Sequence, residues 1–132
     1  VKAVSKALPE LDGKLTGNAI RVPTPNVSLA VMSLTVEKNN LNKEDVNEFL
    51  RKTAFNSKYR EIVGFVNSTE IVSSDFYSSP FASVIDSKAT IVSDNKITLY
   101  CWYDNEYGYS VQVVNLVKNI AGINLIRLPV KV

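Results

Sequence analysis

"ATIVSDNKITLYCWYD", residues 89–104, decides the fold. Two strand-like runs flank Asp94-Asn95, a pair able to take the positive φ angles of a tight turn, so the stretch reads as a β-hairpin. Its second strand runs over 96–104, with Leu99, Cys101 and Tyr103 alternating along one side. Downstream, Ser110 can cap a helix over 111–121, with Val113, Val117, Ile120 and Ala121 on one face and Gly122 as terminator. "YCWYDNEYGYS", residues 100–110, is therefore a strand-to-helix corner, a place where sites concentrate. The Asn105 amide offers one acceptor and two donors, the pattern that pairs with another carboxamide, and Tyr107 and Tyr109 can exclude water around it. A turn packed by core aromatics is the competing and commoner reading of the same residues.

Upstream, Val1, Val4 and Leu8 stand at helical spacing until Pro9 ends the pattern; no capping residue precedes Val1, so the chain reads as a piece of a longer parent. Extended stretches follow at 15–22 and 27–37, separated by Pro23 and Pro25. In the second, Ala30, Met32, Leu34 and Val36 share a face, while the other turns from Val27, Leu29 and Val31 to Ser33, Thr35 and Glu37. That predicts a strand covered on both sides along its first half only. Asn42 opens an amphipathic helix with Glu44 and Asp45 in the first turn and a stripe of Val46, Phe49, Leu50 and Ala54. Shorter extended segments fall at 62–67, 69–76 and 83–86. Strands outnumber helices and are expected to join mostly by hairpins, giving an α+β fold, an antiparallel or mixed sheet with helices packed on one face, in a single domain over 1–132.

Composition excludes several functions. An apolar share of 45% and a net charge of +2 from scattered residues fit an ordinary globular chain, without the basic stripe of a nucleic-acid binder or a membrane-length apolar run. One cysteine rules out an intrachain disulfide, and the absence of a signal-like start points to the cytoplasm. The chain has no histidine, so it supplies no Ser-His or Cys-His pair and no Cys/His zinc site.

Arg21, after Ile20 and before Val22-Pro23, is the second candidate. A planar guanidinium near the end of a sheet binds phosphate or carboxylate through two parallel hydrogen bonds, although an ion pair with one of the thirteen acids is the competing reading. Cys101 lies in mid-strand with nothing placed to lower its pKa and is read as a small buried hydrophobe. Asp104 and Glu106 suit capping better than metal or acid-base work, and the glycine of "LTG" is a turn residue.

Taken together, "LPELDGKLTGNAIRVPTPNVS", "VSSDF", "WYDNEYGYS" and the following "VVNL" helix resemble, in order and interval, the C-terminal catalytic-domain portion of the glyceraldehyde-3-phosphate dehydrogenase family. The resemblance covers residues 1–122, leaves the tail 123–132 unassigned, and through "SVIDSKAT" leans towards bacterial and plastid-type members. It implies NAD-dependent, phosphorylating oxidation of glyceraldehyde 3-phosphate in glycolysis, through a cysteine thiohemiacetal and thioester. By motif, Asn105 holds the nicotinamide carboxamide with Tyr109 in support, and Arg21 binds the phosphate of the substrate or the attacking inorganic phosphate. The family's nucleophilic cysteine, its histidine and its glycine-rich nucleotide domain are not among these residues, so the chain alone is expected to be inactive and to carry no catalytic residue and no metal. The family's homotetramer implies self-association through an apolar sheet face. A non-catalytic binding or assembly module of the same fold, or part of an erythrose-4-phosphate dehydrogenase, are the alternatives.

Overall fold

A computed structural model describes residues 2–123 of the chain. It contains helices α1 (Lys2–Ala7), α2 (Lys43–Asn56) and α3 (Tyr107–Ile120), and strands β1 (Ser28–Thr35), β2 (Val63–Val66), β3 (Ser83–Asp86), β4 (Ile91–Ser93) and β5 (Lys96–Tyr103). The fold is α+β.

β5 organises the sheet. Its whole length pairs antiparallel with β1, from Ser28 opposite Tyr103 to Thr35 opposite Lys96. On its other edge β4 pairs with the first half and β3 with the second, and β2 lies parallel to β3. The order is β1-β5-β3-β2, a mixed sheet. The hairpin β4–β5 turns at Asp94, whose φ is +55°, a left-handed conformation that Asp tolerates better than most residues. Here its Oδ1 accepts from the Asn40 amide at 2.8 Å. Hairpins are nevertheless rarer than expected: β1 and β5 are far apart in sequence, and β2 reaches β3 through a 16-residue connection that includes a 3₁₀ turn at Ser73–Phe76.

Pleating divides the strands between two cores. Ile97, Leu99 and Cys101 of β5 point to the side occupied by α2, where Val46 and Ile85 complete a buried cluster. α2 starts where the sequence indicates, with the Asn42 side chain accepting from the Asp45 amide at 2.7 Å. Phe49, expected in its apolar stripe, is instead 69% exposed, while Val46 and Ala54 are buried. On the opposite face Val27, Phe76 and Val84 pack with Trp102, whose ring stacks on Phe76 at 5.2 Å between centroids.

Several expectations need correction. Residues 15–22 form no strand: among the described residues β1 pairs only with β5, and no strand completes a ladder with this segment. Residues 69–76 curl into the 3₁₀ turn instead of extending. The last helix begins at Tyr107, ahead of the expected start after Ser110. Leu29 and Val31, expected under cover, are 40% and 55% exposed, and Val113, Val117 and Ile120 of α3 are also exposed. Of the unassigned tail only Ile123 is described; 124–132 lie outside the described residues.

Candidate functional site

β5 ends by delivering Asp104 into the protein. This residue is only 4% exposed, yet it pairs with no cation among the described residues; four neutral donors surround it instead. Oδ1 accepts from the backbone amides of Glu106 and Tyr107, both at 2.9 Å. Oδ2 accepts from the Ser78 amide at 2.9 Å and from Asn26 Nδ2 at 3.0 Å. The Tyr107 amide foremost, then those of Glu106 and Ser78 and the Asn26 side chain, outweigh burial and lower the carboxyl to about 2. Because its first oxygen satisfies two amides at the helix start, α3 begins at Tyr107, and Ser110 lies inside the helix with Oγ donating to the Glu106 carbonyl at 2.7 Å.

The second oxygen reaches two segments in unusual backbone. Ser78 has φ +58°, and Val27, which follows Asn26, has φ +71°. A β-branched residue in the left-handed region is a true outlier, costing on the order of 1–3 kcal/mol. Burial of Val27 against Phe76 and Val84 holds it there.

α3 meets the loop before β3 through its first turns. Gly108 is buried, because a Cβ at that position would stand 2.6 Å from the Phe81 carbonyl oxygen; only glycine allows so close a backbone approach. One turn later Gln112 Nε2 donates to the Pro80 carbonyl at 3.1 Å. Between these elements opens a cavity of about 430 Å³, lined by Ala82, Tyr103, Asp104, Asn105, Tyr109 and Gln112.

The structure thus brings Asn105 and Tyr109 into one cavity. The Asn105 side chain is exposed and makes no hydrogen bond among the described residues, leaving its carboxamide available to a ligand. Tyr109 is 71% exposed and Tyr107 48%, so the water-excluding wall expected of them is open in this chain. Arg21 does not line the cavity. It lies on the irregular, exposed segment before β1 instead of in a strand, and makes no ion pair among the described residues. Asn26 is five positions further along the chain, which bounds the distance between their Cα atoms at roughly 18 Å. Cys101 is 2% exposed and burial pushes its thiol up, as befits a core residue. Among the described residues no group of three or more potential ligands is placed to hold a metal, and no helix is long and apolar enough to cross a membrane.

Sequence reasoning passed over Asp104 as an ordinary capping acid and Asn26 altogether. A legible signal existed for the first: an aspartate at a strand end, followed within three residues by helix, is placed to satisfy the first free amides. Nothing local marks Asn26, which lies 78 residues away in sequence.

Residues 1–105 match the family described as glyceraldehyde 3-phosphate dehydrogenase, C-terminal domain. The chain is 54% identical over 122 residues to a glyceraldehyde-3-phosphate dehydrogenase-like protein of Pseudomonas aeruginosa (strain UCBPP-PA14), an alignment that takes in 92% of this chain and 26% of that protein. It is 48% identical to the chloroplastic glyceraldehyde-3-phosphate dehydrogenase GAPB of Arabidopsis thaliana, over 91% of this chain and 27% of the relative. Glyceraldehyde-3-phosphate dehydrogenase 3 of Saccharomyces cerevisiae is 46% identical, over 91% and 36%. The chain therefore spans about a quarter to a third of the relatives it matches.

Proposed function

The chain belongs to the glyceraldehyde 3-phosphate dehydrogenase C-terminal domain family, and on that premise we propose that it is the sheet-bearing part of an NAD-dependent, phosphorylating glyceraldehyde-3-phosphate dehydrogenase acting in cytoplasmic glycolysis. The observation that carries this reading is the unpartnered Asn105 carboxamide in a cavity it shares with Tyr109. A cavity of about 430 Å³ suits a ring bearing a carboxamide, within the roughly 300–1,000 Å³ usual for ligand pockets.

NAD, when bound, supplies the acceptor for hydride. The part played by this chain is orientation. Asn105 would pair through donor and acceptor with the carboxamide and so fix the ring's orientation, with Tyr109 as a supporting neighbour in the same cavity. Arg21 binds a phosphate oxyanion of glyceraldehyde 3-phosphate or of inorganic phosphate through its fork of N–H donors. No residue of this chain serves as nucleophile or proton carrier: Cys101 is buried and histidine is absent. Those groups come from other polypeptide.

In the assembled enzyme, taken to be a homotetramer, the exposed strip of Leu29, Val31 and Ile91 meets another subunit. The test is direct. The 132-residue chain should produce no NADH from glyceraldehyde 3-phosphate, NAD and phosphate, whereas the native gene product that carries it should do so. Turnover by the chain alone, or none by the gene product, contradicts the reading.

A further inference from the structure

We propose that Asp104 is a positioning residue whose carboxylate, through Asn26, holds the segment bearing Arg21 and the corner bearing Asn105 at one spacing. The inference rests on the function proposed above.

Capping alone does not account for Asp104. Oδ1 alone accepts from the Glu106 and Tyr107 amides, two of the free N–H groups at the start of α3. Oδ2 is directed elsewhere, to Asn26 on the segment leading from Arg21 into β1 and to Ser78 on the connection between β2 and β3. Three stretches remote in sequence therefore converge on one side chain, immediately before the residue whose carboxamide faces the cavity. Both contacts of Oδ2 involve left-handed backbone, at Ser78 itself and at Val27 beside Asn26. Conformations of that kind persist only where surrounding structure over-determines them, and here they aim two donors at one oxygen. With no ion pair to it among the described residues, the carboxylate keeps all four donors. Movement of the Arg21 segment relative to the corner breaks the Asn26 bond, and reacting groups misplaced by about an ångström lose rate steeply.

The test uses the native gene product and four single variants. Asn26→Ala removes one donor and leaves both helix-start bonds in place. It should raise KM for glyceraldehyde 3-phosphate by about tenfold while the dissociation constant for NAD changes by less than about twofold, a split that a general loss of stability does not produce. Asp104→Asn replaces one acceptor oxygen by an N–H donor facing other donors, and should raise KM at least as much. The double variant should be no worse in KM than Asp104→Asn, since both remove the same contact. An unchanged KM in Asn26→Ala, or multiplying effects in the double variant, overturns the inference. If Asp104→Asn fails to fold, Asn26→Ala alone decides. Arg21→Ala and Asn105→Ala separate the two levels: if both impair the enzyme while Asn26→Ala leaves KM unchanged, positioning fails by itself. If neither has an effect, the proposed function fails and takes the inference with it.

Discussion

Gly108 and the Phe81 carbonyl oxygen are pressed so close that a Cβ on Gly108 would come within 2.6 Å of that oxygen. The clash is with backbone, which cannot swing away. Gly108→Ala should therefore destabilise the protein by about 1–3 kcal/mol, even though alanine is favoured in helices by nearly 1 kcal/mol. Urea unfolding monitored through Trp102 measures the shift in midpoint. A variant as stable as the parent contradicts the contact.

Acid should expose the tie at Asp104. Its carboxyl titrates at about 2 in the folded protein against an ordinary 3.8, so the folded state binds the proton more weakly than the unfolded one. The stabilisation is present in full above pH 3.8 and lost as the pH falls through about 2. Asp104→Asn lacks this dependence, and the stability gap between parent and variant should narrow between pH 4 and pH 2. Unfolding midpoints across that range read the gap; a constant gap contradicts the assignment.

Cys101 should be inert while the protein is folded. It is 2% exposed and its thiol is raised by burial, so a water-soluble disulfide reagent at pH 8 should label it only after denaturant is added. Rapid labelling without denaturant contradicts its placement in the core.

A charge on the bare sheet face should act on assembly more than on folding. Val31 is 55% exposed, so Val31→Lys should change stability by less than about 0.5 kcal/mol. In the native gene product it should lower the average mass seen by sedimentation, because an unpaired charge is costly inside an interface. An unaltered mass contradicts a subunit contact through this strip.

Local chemistry made much of this architecture readable. The turn at Asp94, the Asn42 cap of α2 and the alternation along β5 each depend on neighbours in sequence, and each was legible. Long-range pairing was not. Among the described residues, 15–22 have strand composition but no strand paired with them, and Phe49 has helical phase but stays 69% exposed. The site divides in the same way. Asn105 and Tyr109 announce themselves as polar and aromatic residues at a strand end, whereas the Asn26–Asp104 bond arises only when β1 is laid against β5. The early start of α3 follows from the same carboxylate, since Asp104 takes the helix-starting role assigned to Ser110.

The central claim is that this chain orients a nicotinamide carboxamide through Asn105 and a phosphate through Arg21. The most direct test compares Asn105→Ala and Arg21→Ala in the native gene product, reading NAD dissociation constants and the KM for phosphate-bearing substrate in parallel. The account predicts a crossed pattern: Asn105→Ala weakens NAD binding by about tenfold with substrate KM nearly unchanged, and Arg21→Ala does the reverse. Equal losses of both quantities in both variants contradict it.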